Sequence, residues 1–202
     1  TNWLYKDRAV GSNPYRCCDM MSTPALEAIR EFATQHGLEY ETVDNRTLVV
    51  VVPGEHRLRT SVSFCCQDTA VSINAFVIRH PDENEANVFR WLLEMNRRMY
   101  GLSYCLDHHG DVYLSGRVPI DSFDEVAIDR VLGTVVEYTD RAFNTLLELG
   151  FADSIRREWA WRQKSGLNTD NLQAFTHLFS ENPTFPRTQR VRPELLKNDP
   201  EG

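Results

Sequence analysis

From residue 57 to residue 66 the chain alternates without a break. Leu58, Thr60, Val62, Phe64 and Cys66 fall on one side, and Arg57, Arg59, Ser61, Ser63 and Cys65 on the other. A period of two over this length predicts a strand with one buried face and one wet face. On that reading Arg57 and Arg59 are either solvated or available to an acidic partner. The pattern recurs from Thr69 to Arg79, where Val71, Ile73, Ala75 and Val77 alternate with Ser72, Asn74, Phe76 and Ile78. Two earlier strands, Leu38 to Asp44 and Thr47 to Val52, flank Asp44-Asn45-Arg46, a composition suited to a hairpin turn. A second hairpin is predicted from Leu102 to Asp107 and Asp111 to Val118, joined at His108-His109-Gly110 and stopped by Pro119.

The remaining apolar positions follow helical spacing. Thr23 is an N-cap type, Pro24 suits the first helical position and Gly37 a C-terminal stop, with Leu26, Ile29, Phe32 and Ala33 on the apolar side between them. Asp82 and Glu85 have the spacing of a capping box ahead of Val88, Phe89, Leu92, Met95, Asn96 and Met99, and Gly101 closes that helix. Ser122 and Glu125 repeat the signal, and Gly150-Phe151 resembles a Schellman end. The helix between them is about 28 residues, roughly 42 Å long. A further helix is predicted from Ser154 through Trp161, and Asp170 with Gln173 caps a short one carrying Leu172, Phe175, Leu178 and Phe179.

The long helix carries two apolar stripes. Phe123, Ala127, Val131, Val135, Tyr138, Ala142, Leu146 and Leu149 form one; Ile128, Leu132, Val136, Thr139, Phe143 and Leu147 form the other. One stripe suffices to cover a sheet. Leu132, Val136, Phe143 and Leu147 are therefore the candidate dimer or partner surface, with a homodimer as the expected cover. The competing cover is the Trp159 helix or the Phe175–Phe179 segment folded back. Arg156, Arg157, Trp159 and Trp161 are a candidate binding patch, since Trp and Arg are enriched at hot spots. The alternative is that Trp159 closes the core and the arginines answer acidic neighbours.

Composition narrows the function classes. The chain of 202 residues has 29 acidic and 22 basic side chains, a net charge of −7, with the excess acid in residues 81–163. That field opposes nucleic-acid binding. No apolar run approaches the roughly 20 residues of a membrane span. Cys17-Cys18, Cys65-Cys66 and Cys105 lack disulfide or zinc spacing and read as reduced thiols of a cytoplasmic protein. Asp107-His108-His109-Gly110-Asp111 is the nearest thing to a metal cluster, but its composition is that of a turn. No phosphate-binding glycine loop, zinc-protease helix or nucleophile elbow occurs. No catalytic residue, metal site or cofactor is expected.

Four segments carry a resemblance: Arg90-Trp91-Leu92-Leu93 through Asn96-Arg97-Arg98-Met99-Tyr100-Gly101; Gly116-Arg117-Val118-Pro119; Phe143-Asn144-Thr145-Leu146-Leu147; and Ser154-Ile155-Arg156-Arg157-Glu158-Trp159-Ala160-Trp161. They resemble the YbjN family of bacterial sensory-transduction regulators, over residues 25–180 and most strongly over 83–162. The resemblance implies an α+β fold like that of type III secretion chaperones, an antiparallel sheet packed by helices. Here the order reads α-β-β-β-β-α-β-β-α, one strand more before the second helix than the chaperone pattern. The expected organisation is an N-terminal arm (1–22), the α+β domain (23–162), and a helical appendage with a proline-containing tail (163–202). The expected function is a non-enzymatic protein-binding module, a chaperone-like adaptor or regulator with an unidentified protein partner. The alternative is a sensor binding a small molecule between sheet and long helix.

Overall fold

Thr23 caps the first helix: its Oγ1 accepts from the Leu26 N–H at 3.3 Å. The computed structural model describes residues 23–179; the predicted arm and tail lie outside the described residues. Helix α1 (Pro24–Gln35) ends at Gly37, whose φ of +63° is a conformation open to glycine. Strands β1 (Glu39–Thr42), β2 (Thr47–Pro53), β3 (Arg59–Cys66) and β4 (Ala70–Ile78) follow, then α2 (Glu85–Asn96), β5 (Leu102–Leu106), β6 (Val112–Pro119) and α3 (Glu125–Lys164). Short 3-10 stretches at Ile120–Ser122 and Asp170–Phe179 complete the order.

The six strands form one antiparallel sheet in the order β1-β2-β3-β4-β6-β5. Its register aligns Val50, Val62, Ala75, Leu114 and Tyr104 in one row and Leu48, Phe64, Ile73, Gly116 and Leu102 in the next. These rows, in which only Gly116 is half-buried, lie under α1, α3 and, at β5, α2. Gly116 is required there, because a Cβ would stand 2.5 Å from the Leu102 side chain and 2.4 Å from the Gly101 carbonyl oxygen. The opposite face presents Val49, Ser63, Asn74, Ser115 and Ser103, small and mostly polar side chains. Cys65 and Cys66 point to opposite faces, and burial pushes the Cys66 thiol up.

Two helix signals act differently from their prediction. Asp124, not Ser122, caps α3, accepting from the Ala127 N–H at 2.8 Å. Phe123 first seats in the core beside Phe64, so the helix starts after it. At the other end α3 does not stop at Gly150. Phe151 leaves helical geometry (φ −144°, ψ 17°) and the helix then resumes to Lys164, so the predicted fourth helix is its second half. The loop before α2 satisfies the groups this kink frees. The Gly150 carbonyl accepts from the Asp82 and Glu83 N–H groups, Glu83 Oε1 accepts from the Asp153 N–H, and Asp82 Oδ2 accepts from Ser154 Oγ. Asp82 therefore serves α3 rather than capping α2, whose N-cap position is Asn84. A Cβ on Gly150 would meet Pro81 at 3.0 Å, so glycine there is what lets the loop lie this close.

β3 and β4 pair from Cys66–Val71 to Val62–Ala75 and then part, although β3 runs back to Arg59 and β4 on to Ile78. The side chain of Arg57 fills the split. Its Nη1 donates to the carbonyls of Phe76 (2.6 Å) and Val77 (2.7 Å), and its guanidinium lies over the rings of Phe76 and Phe143. The strand alternation placed Arg57 on the wet face and Leu58 on the buried one. The structure reverses both, with Arg57 7% and Leu58 68% exposed. The cause is Asp140 on α3, whose Oδ1 accepts from the backbone N–H groups of His56 and Arg57 and pins the β2–β3 turn before the strand begins.

Arg57→Met should cost about 3 kcal/mol in a urea titration, because two buried carbonyls lose a charged donor. Arg59→Met, removing an exposed pair with Glu39, should cost under about 1 kcal/mol. Equal effects would remove the special role of Arg57. The Asp82 carboxyl is held below its usual range by the Arg79 hydrogen bond, against desolvation and with help from Ser154. A depressed carboxylate stabilises the fold above its unfolded pKa, about 3.9, and loses that contribution as pH falls through the folded value. Asp82→Asn should thus destabilise the fold in urea titrations at pH 7, by about 1 kcal/mol or less for so exposed a pair, and by less at pH 3. A difference that is constant with pH would contradict this assignment.

Candidate functional site

The candidate surface on α3 is covered within the single chain. Leu132, Phe143 and Leu147 are 5%, 9% and 3% exposed, and Val136 is half-buried. The helix is flanked by α1 and α2, so both stripes find partners, and Phe143 and Leu147 pack beside Arg57 and β4. The apolar exposure that motivated a homodimer through these four residues is absent from the fold.

The Arg/Trp patch divides. Trp159 stacks on Phe179 with centroids 4.2 Å apart, and the Arg156 Nε donates to the Leu178 carbonyl, so these two hold the 3-10 segment 170–179 against α3. Arg156 also pairs with Asp153. Arg157 donates to Ser154 Oγ and is otherwise exposed, and Trp161 is 54% exposed. The fold thus continues through the boundary expected at residue 162, with Leu172, Phe175 and Leu178 buried.

Between sheet and long helix, Arg57, Phe76, Arg79, Phe143, Leu147 and Phe151 enclose a cavity of about 20 Å³. That holds one water and no organic ligand. A wider cleft of about 530 Å³ opens at the surface, where the turn Pro53, Gly54, Glu55 and His56 faces Val136, Glu137, Asp140 and Arg141. His56 Nδ1 donates to Asp140 Oδ2 at 2.9 Å. Burial alone would raise the Asp140 pKa, but the Arg57 N–H and the two His56 donors together hold it below its ordinary value.

The two edges of the sheet differ. At β5, Asn96 acts as a one-residue strand. Its Oδ1 accepts from the Tyr104 N–H at 2.8 Å and its Nδ2 donates to the Tyr104 carbonyl at 3.1 Å. The Tyr104 hydroxyl, its pKa pushed up by burial, donates to the Tyr138 carbonyl and ties this edge to α3. At β1 no strand among the described residues lies outside Glu39–Thr42, and all four residues are exposed. The Val43 N–H bonds inward to Thr47, so alternation turns the N–H and C=O of Tyr40 and Thr42 outward. Sequence reasoning missed this asymmetry. Its one signal was a polar Asn96 within an apolar helical stripe.

The family described as "Putative bacterial sensory transduction regulator", YbjN, matches residues 25–148. The uncharacterized protein ML2442 of Mycobacterium leprae is 51% identical over 134 residues, 66% of this chain and 73% of that protein. The uncharacterized protein Rv0487 of Mycobacterium tuberculosis is 47% identical over 148 residues, 73% of this chain and 80% of its own length. Among solved structures, the chain is similar to one in the heterodimeric ExoU-SpcU complex from the type III secretion system of Pseudomonas aeruginosa. That match has 16% identity, a TM-score of 0.44, and covers 60% of this chain and 96% of the other. For a chain of the ExsC-ExsE complex the values are 18%, 0.47, 59% and 91%. With a family match across more than half its length and relatives about half identical to it, the chain belongs to the YbjN family.

Proposed function

We propose that the protein is a non-enzymatic cytoplasmic regulator that captures an extended segment of a partner protein as a seventh strand beside β1. The observation that carries this reading is the unequal pair of edges: at the middle of β5 Asn96 occupies the outward groups of Tyr104, while β1 turns the Tyr40 and Thr42 backbone groups outward. Strand addition supplies affinity through main-chain hydrogen bonds and specificity through alternate side chains. Glu41 projects on one face of β1, beside the Glu39–Arg59 pair, and Tyr40 on the other, so the fitting segment sets a basic residue against Glu41 between apolar ones. The regulatory description of the family supports the same reading. Two copies joined β1 to β1, antiparallel about Tyr40, would set Glu39 of each against Glu41 of the other, which like-charge pairing disfavours. The expected partner is therefore a different protein.

A photo-crosslinking residue at position 41, with a control at position 103 on β5, tests this in the native cell. Position 41 should yield an adduct with a second protein, and the added change Thr42→Pro, which removes an outward N–H, should abolish it. Hydrogen exchange on the isolated adduct should show protection of the Tyr40 and Thr42 amides. An adduct that survives Thr42→Pro, forms equally from position 103, or contains two copies of this chain would overturn the reading.

A further inference from the structure

The cleft beside α3 contains a group of side chains that strand capture does not use. Glu55, His56 and Asp140 each offer one ligand atom, and these atoms all lie within 4.8 Å of one another. In a tetrahedral ion with bonds of 2.0–2.1 Å, neighbouring donors stand roughly 3.3 Å apart. The Nδ1–Oδ2 distance of 2.9 Å between His56 and Asp140 is already near that edge. Glu55 is exposed, with its carboxylate within 4.8 Å of both.

The arrangement is more than an acidic surface. Asp140 comes from α3 and its partners from the β2–β3 turn, so the fold itself brings them together. The Asp140 side chain is 13% exposed, and its Oδ1 is fixed by two backbone N–H groups, which leaves Oδ2 aimed at His56. Gly54 lets the turn press this close: a Cβ there would sit 2.7 Å from Asp140 Oδ1 and 2.5 Å from the Arg57 carbonyl oxygen. On the solvent side the cleft of about 530 Å³ leaves room for water. The other histidine–carboxylate run is committed elsewhere, since the Asp107 Oδ1 accepts the N–H groups of His109 and Asp111 to build the β5–β6 turn.

We propose that Glu55, His56 and Asp140 bind a divalent transition-metal ion of the zinc class, with its fourth position open to water in the cleft. An imidazole with two carboxylates suits such an ion, whereas calcium takes six to eight oxygens and magnesium keeps an octahedron of oxygen ligands. On binding, the His56 ring adopts the Nε2–H tautomer and its Nδ1 turns from donor to ligand. The metal tightens the turn that carries Arg57 against α3.

The test is calorimetric titration of the full chain, stripped with chelator and with its accessible cysteines alkylated without denaturant, using zinc chloride. Wild type should bind one equivalent. Glu55→Gln and His56→Gln should each weaken binding by about tenfold or more, and magnesium chloride should give no comparable signal. His56→Gln retains the backbone N–H that Asp140 accepts, so its unliganded melting temperature serves as the folding control. Absence of zinc binding at 100-fold molar excess, or unchanged stoichiometry and affinity in His56→Gln, would overturn the proposal. The readout needs no protein partner, so it can fail while strand capture stands, and the reverse.

Discussion

A guanidinium inside the sheet is the interaction on which the rest of this structure turns. β3 and β4 separate at one end, and the buried Arg57 supplies the donors that the missing ladder would have given to Phe76 and Val77. Its position is set from across the core, because Asp140 on α3 holds the backbone of His56 and Arg57. The long helix is therefore registered to the sheet by directional hydrogen bonds as well as by apolar contact. Apolar stripes alone tolerate sliding; a carboxylate taking two backbone N–H groups does not. The same arrangement places Phe143 and Leu147 against β4, beside a cavity of only about 20 Å³.

A second polar device works at the other end of the domain. The kink at Phe151 would leave helix groups without partners, and the loop between β4 and α2 supplies them from outside the helix. Asp82 and Glu83 thus belong functionally to a helix that begins some forty residues later. The two halves of α3 are each held at a turn or loop, the first through Asp140 and the second through Asp82 and Glu83.

Much of the architecture was legible in the chain. The period-two runs at 59–66 and 70–78, the Thr23-Pro24 start and the Gly37 stop are local signals, and each gave the right element at nearly the right place. The illegible parts were those where a residue acts on a distant one. Ser122 and Asp82 have capping spacing, yet Phe123 and the α3 kink decide what caps what. Arg57 obeys strand alternation on paper, but the strand has not started there, and the pin that bends the turn is 83 residues away. The second stripe on α3 was read as surplus because nothing local reveals that α1 and α2 flank the helix. For the same reason the open edge at β1 was invisible: which strands are outermost is a property of the sheet order, and the closing of the other edge by Asn96 depends on a side chain from a helix.

That closure has a consequence for growth. A sheet with two receptive borders can be extended from both sides, and molecules so built can stack border to border into fibres. Here one border already carries its terminal partner, a single amide fixed to the Tyr104 backbone. Among the described residues, a strand added at β1 would find no equally open border across the sheet through which to recruit another copy. The polar plug at β5 thus works against border-to-border growth of the described fold.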